Sequence, residues 1–282
     1  MKISPITKFL IMGLFCCVLS LGCKSTSLGT ASVEKEGVDS TNSAAFFAFD
    51  GTAIVYENHS TVVTMMEEAN AQGFYYQGSN VEGSTLFVDL YKALDQVCLL
   101  AKKGNLKKVY VMGYSRGAMS AIAFVHRASK QCGTKIPFAW IGLLDPVNTN
   151  VTGEELPTYL PPGMETPCSL VYKEKTWEHF VTTVKIEGCN SAIVAVPGIG
   201  HIKMAADARS REALMRSAEY LTNGAIGYAS YLKIAGPAEN SLFQPKPAKS
   251  EKDMLCKTKL QDSDGCLQLG CQYDILGGIC FE

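Results

Sequence analysis

Residues 106–128, LKKVYVMGYSRGAMSAIAFVHRA, constrain this chain more than any other stretch. The first half is a short apolar run with strand character, and the second is a run of small and apolar residues at helical spacing. They meet at Gly113-Tyr114-Ser115-Arg116-Gly117, a G-x-S-x-G turn. A buried strand that turns this sharply into a helix must lay the helix back on its own sheet, which is the opening of a βαβ unit. The glycines allow the tight turn and the close helix approach, and they lift the serine hydroxyl above the sheet edge. The helix start adds backbone N–H donors and a positive dipole end. Ser115 is therefore the candidate nucleophile. The plainer reading is a glycine-rich turn that only packs a helix on a strand.

The surrounding sequence repeats the same alternation. Strands are expected at Ala45–Asp50, Phe74–Gln77, Lys108–Gly113, Phe138–Asp145 and Ala192–Val196, and helices at Ser60–Gln72, Leu86–Lys103, Gly117–Lys130 and Glu212–Leu221. Short apolar strands alternating with longer amphipathic stretches give an α/β fold, a mostly parallel sheet with helices on both faces. With 282 residues and 47% apolar content, one main domain is the default. Formal charge is −1, from 26 basic and 27 acidic residues, and no basic block stands out, so nothing marks a nucleic-acid partner.

A serine nucleophile needs a base, and the chain offers His59, His126, His179 and His201. His126 falls within the helix after Ser115, His59 follows Glu57-Asn58, and His179 sits in the amphipathic KTWEHF. His201 follows AIVAVPGIG, an apolar strand ending in a Pro/Gly loop, and is the candidate base against the plainer reading of a loop histidine. The acid should lie between serine and histidine. FAWIGLLDPV ends a strand on Asp145, held by Pro146, where a carboxylate could fix the imidazole tautomer. Glu154, Glu155, Glu174, Glu178 and Glu187 are the substitutes, and the plainer reading of Asp145 is a loop cap.

FAFDGT, residues 47–52, raises a separate question. Haloacid-dehalogenase-type phosphatases end their first strand on D-x-D-G-T, whose first aspartate is the nucleophile, and here that position is Ala48. Asp50, Gly51 and Thr52 are then better read as a loop beside Ser115 that helps build an oxyanion hole, with the Arg116 N–H as the other donor.

Taken in order, FAFDGT, ENHSTV, GFYYQG, MGYSRGA, GLLDPV and VPGIGH resemble the serine α/β-hydrolases exemplified by phospholipase effectors of type VI secretion, over about Phe46 to Leu221. The resemblance implies Ser115, Asp145 and His201 as a triad, and hydrolysis of a lipid or other acyl ester through an acyl-enzyme. No cofactor is called for. A chain with this fold and no turnover would instead serve as an anchored binding module.

The ends of the chain point to export. Lys2 and Lys8 precede the apolar run Phe9 to Leu21, which is shorter than the roughly 20 residues a membrane span needs and suits a signal peptide over 1–22. Ser20-Leu21-Gly22-Cys23 resembles a bacterial lipoprotein cleavage site, so Cys23 is the candidate lipidation point for anchoring in the cell envelope. Residues 23–43 are polar enough for a tether, 44–236 hold the hydrolase domain, and the Pro/Lys-rich 237–254 reads as a linker. Of eleven cysteines, Cys16, Cys17 and Cys23 belong to the targeting segment; the other eight suit disulfides in an oxidising compartment. Cys256, Cys266, Cys271 and Cys280 crowd the tail, 255–282, which lacks a C-x-x-C pair and follows every histidine, so bridges suit it better than a metal.

Overall fold

The computed structural model describes residues 43–52, 60–78, 86–148, 156–174, 182–234, 272–274 and 279–281. In chain order the elements are β1 (Ala44–Phe49), α1 (Thr61–Glu68), β2 (Gln72–Tyr76), α2 (Leu86–Lys102), β3 (Lys108–Tyr114), α3 (Arg116–Gln131) and β4 (Phe138–Leu144). Then come β5 (Cys168–Lys173), β6 (Ala192–Val196), α4 (His201–Met204), α5 (Ala208–Leu221) and α6 (Ala229–Ile234). A separate antiparallel pair joins β7 (Gln272–Asp274) to β8 (Ile279–Phe281).

The first six strands make one parallel sheet in the order β2-β1-β3-β4-β5-β6. Side chains alternate across it with period two, as a sheet covered on both faces requires. Phe47, Phe49, Val109, Val111, Ile141 and Leu143 pack with α2 and α3 on one face. Phe46, Ala48, Tyr110, Met112, Trp140 and Leu144 pack with α1 and α5 on the other. This is the α/β-hydrolase-like architecture expected from the sequence. Five of its six sheet strands fall at or within two residues of the expected bounds.

The sheet places the site. Strand order reverses between β1 and β3, and in open α/β sheets ligands bind beyond the carboxyl ends of the strands at such a reversal. At those ends the ladder continues one residue past each strand. Asp50 N–H donates to Tyr76 O (3.0 Å), Ser115 N–H to Leu144 O (2.9 Å), Asp145 N–H to Val171 O (2.8 Å) and Glu174 N–H to Val196 O (2.9 Å). The backbones of Asp50, Ser115 and Asp145 are therefore pinned by the sheet at the strand ends.

Several elements differ from the sequence reading. β5 was not expected; it follows the proline-rich TYLPPGMETP and carries Ser169 and Lys173, which dilute its apolar run. The last long helix starts at Ala208 rather than Glu212, because Asp207 caps it through its carboxylate, which accepts from the Ser210 N–H at 3.2 Å. His201 does not sit in an open loop but opens the short helix α4. α6 also went unread. Of the eight cysteines outside the expected targeting segment, Cys98 bonds to Cys132, tying α2 to the end of α3, and Cys168 bonds to Cys189, tying the start of β5 to the loop before β6. The expected signal segment 1–22, the candidate lipidation point Cys23, the expected linker 237–254, and Cys256, Cys266 and Cys271 lie outside the described residues.

Candidate active site

Ser115 stands at the junction of β3 and α3 with φ 57° and ψ −125°. This left-handed conformation is costly for a residue with a Cβ, by about 1–3 kcal/mol, and persists only where its surroundings hold it. Here the Ser115 N–H is held by β4, and its carbonyl accepts from Ala118 N–H at 3.1 Å and Val147 N–H at 3.2 Å. The flanking glycines are required by contact. A Cβ on Gly113 would come within 2.3 Å of Gly117 O, and one on Gly117 within 2.3 Å of both Phe49 O and Asp50 O. Side chains there would push α3 away from the ends of β1 and β3.

Three side chains from three strand ends form one chain of hydrogen bonds. Ser115 Oγ lies 2.8 Å from His201 Nε2, and His201 Nδ1 lies 2.6 Å from Asp145 Oδ2. With Asp145 ionised, the imidazole proton belongs on Nδ1, which leaves Nε2 to accept the serine hydroxyl. All three residues are buried, Asp145 completely. Burial alone would raise the Asp145 carboxyl; hydrogen bonds from His201 and Thr183, with the charges of His201 and Lys173, outweigh it and hold the group below the usual carboxylate range. Asp145, too, has a left-handed backbone, φ 41°.

His201 is fixed from a second side. Tyr114 stacks on its ring with centroids 5.1 Å apart and 23° between planes, and the Tyr114 hydroxyl donates to His201 O at 2.7 Å. Around Asp145, Thr183 Oγ1 donates to Oδ1, while the buried Lys173 ammonium lies 3.3 Å from Oδ2. Sequence reasoning missed Tyr114, Lys173 and Thr183. Tyr114 was visible only as the variable position of G-x-S-x-G. Lys173 was signalled by one charge closing the run CSLVYK, and Thr183 by nothing periodic.

Asp50 adjoins this group as a latch. Its Oδ1 accepts the Gly51 N–H at 2.8 Å and its Oδ2 accepts the Tyr75 hydroxyl at 3.0 Å. Gly51 packs where a Cβ would meet the Tyr114 ring at 2.7 Å and Ser115 Cβ at 3.0 Å, so the Asp50–Thr52 loop lies against the elbow. The Gly51 N–H is spoken for by Asp50, and Gly51's part is one of close approach.

The rival residues are placed elsewhere. His126 is buried on α3 with Nε2 2.6 Å from Tyr159 O. Glu174 and Glu187 are exposed. His59, His179, Glu154, Glu155 and Glu178 lie outside the described residues. Among the described residues, no three His, Cys, Asp or Glu side chains cluster as a metal site would need.

No protein-family model matches the chain, and no curated protein matches it either. Solved structures with a similar chain path include an esterase from Pyrobaculum calidifontis, 14% identical, with 65% of this chain and 77% of that one covered at a TM-score of 0.43. A thermophilic, thermostable carboxylesterase cloned from a metagenomic library is 16% identical, with 64% and 80% covered at 0.44. An esterase/lipase from an uncultured bacterium is 11% identical, with 79% and 92% covered at 0.45. The likeness concerns the path of the backbone.

Proposed function

We propose that this protein is an exported serine hydrolase that cleaves a carboxylic ester through a Ser115-His201-Asp145 triad. The observation that carries this reading is the continuous hydrogen-bonded chain from Ser115 Oγ through both His201 nitrogens to a buried carboxylate, set on a left-handed serine at a helix start. Ser115 Oγ attacks the ester carbonyl carbon while His201 Nε2 takes the hydroxyl proton. Asp145 holds the imidazolium that forms. The tetrahedral oxyanion is met by backbone donors at the start of α3 and in the Asp50 loop, the Arg116 N–H and, since Gly51's N–H is engaged, that of Thr52. His201 then protonates the departing alkoxide, leaving an acyl group on Ser115. Water, deprotonated by His201, releases the carboxylic acid and restores the serine.

The substrate is a lipid or other acyl ester, in keeping with the resemblance of FAFDGT and SRGA to type VI phospholipase effectors. The two disulfides support an oxidising compartment, and with them export through the segment 1–22 and anchoring at Cys23 in the cell envelope. Labelling by a fluorophosphonate, together with hydrolysis of p-nitrophenyl esters of increasing chain length, tests the reading. Labelling of the wild type that is lost in Ser115→Ala, with ester turnover, is expected. A folded wild type that neither labels nor turns over any ester would leave the fold as a binding module.

A further inference from the structure

Asp145 Oδ2 is shared. It faces His201 Nδ1 at 2.6 Å and Lys173 Nζ at 3.3 Å, and the Lys173 side chain is only 7% exposed. The ends of three adjacent strands thus supply acid, cation and base in turn, Asp145 after β4, Lys173 closing β5 and His201 after β6. A lysine is rarely buried without a partner, and burying one beside a carboxylate that must already hold an imidazole is a costly way to fill space. Resting on the triad reading above, we infer that Lys173 is a positioning residue that sets the pH range of the reaction by shielding Asp145 from His201.

At rest the Lys173 ammonium already faces Asp145 Oδ2, and when His201 takes up a proton the same carboxylate oxygen faces a second cation. Lys173 therefore opposes protonation of His201 and keeps the imidazole in its proton-accepting form to lower pH than a histidine–carboxylate pair alone would. Among the described residues, other titratable or charged groups also stand at these strand ends. Tyr114 is committed to His201 O, Asp50 to Gly51 and Tyr75, Arg116 opens α3, and Glu174 and Lys203 are exposed. Thr183 donates to the other Asp145 oxygen and holds the carboxylate's orientation whether or not Lys173 is charged.

The test is the pH dependence of kcat/KM for the wild type, Lys173→Arg, Lys173→Gln and Lys173→Met, with circular dichroism as the check on folding. The acid limb should move up by about one pH unit in Lys173→Gln and Lys173→Met, and stay within a few tenths of a unit of the wild type in Lys173→Arg. Lys173→Gln keeps a donor at similar reach, so it separates charge from packing if Lys173→Met does not fold. An acid limb unmoved in a folded Lys173→Gln would overturn the inference while leaving the triad intact. So would collapse of both neutral variants, which would make Lys173 a structural anchor of β5. A wild type that fails to label at Ser115 would remove the triad and this inference together.

Discussion

Ser115 Oγ and His201 Nε2 approach to 2.8 Å although 86 residues separate them, because β3 and β6 end at the same edge of the sheet and Tyr114 clamps the histidine from β3 itself. Serine and base thus share one support. Ser115→Ala and His201→Ala should each lower kcat by roughly 10⁴-fold, and the double variant by little more than either alone, since the two act as one unit. Steady-state kinetics on a p-nitrophenyl ester measures all three. Losses that multiply in the double variant would mean that His201 does its work elsewhere.

Asp50 separates two chemistries that share the letters D-G-T. Its oxygens are occupied by Gly51 N–H and the Tyr75 hydroxyl, and burial with the nearby Asp50 charge pushes the Tyr75 phenol far above its ordinary value, so that hydroxyl stays a donor. Asp50→Asn can keep only one of these acceptors. It should preserve the fold and fluorophosphonate labelling of Ser115 while slowing ester turnover by about 10- to 10³-fold through misplaced N–H donors. EDTA should leave the wild type unaffected. Metal-dependent phosphate release that survives Ser115→Ala and disappears in Asp50→Asn would place the active site at Asp50 and overturn the Ser115 reading.

How much of this could be read in advance depended on whether a residue's role follows from chain-local pattern. The elbow at Ser115 is local: strand, two glycines and a helix of small residues leave few alternatives. Asp145 directly follows one apolar strand and His201 follows another after a short Pro/Gly loop, so an ordered sheet would bring them to one edge. Lys173 closes a strand too, but β5 was hidden by Ser169 and by the prolines before it, whose polar and rigid character hides the period-two signal. Thr183 comes from a loop with no period at all. It reaches Asp145 because the segment returns to the strand ends, where Val184 N–H donates to Pro146 O at 2.8 Å, a pairing that only the folded chain reveals.

The cysteines bear on compartment as well as stability. Bridges that close 34 and 21 residues of chain, Cys98–Cys132 and Cys168–Cys189, are each worth about 3 to 4 kcal/mol in the loop-entropy account. Thiol counting under denaturing conditions should find these four cysteines unreactive until reductant is added, and reduction should lower the melting temperature by several degrees. Mass analysis of the mature N-terminus should begin at a modified Cys23, with Cys23→Ser releasing the protein from the membrane fraction. Four freely reactive thiols at these positions in protein isolated from cells would overturn the argument for export.

Asp89 provides a check on the energetics of the crevice wall. It sits in the first turn of α2 and is 5% exposed, and Oδ1 has no hydrogen-bond partner among the described residues, with Lys92 Nζ at 3.6 Å. Burial raises its carboxyl above the ordinary value despite the lysine, and its charge helps push the neighbouring Tyr76 phenol upward. A carboxyl raised in the folded state adds stability below its unfolded value, about 3.9, and that contribution is lost as pH rises through the folded value. At pH 8 the fold therefore holds a charge it would be more stable without. Asp89→Asn should raise the melting temperature at pH 8 by roughly 2–4 °C for each kcal/mol recovered, and change it little near pH 4. Equal destabilisation at both pH values would show that the buried carboxylate is satisfied after all, by contacts that the amide cannot reproduce.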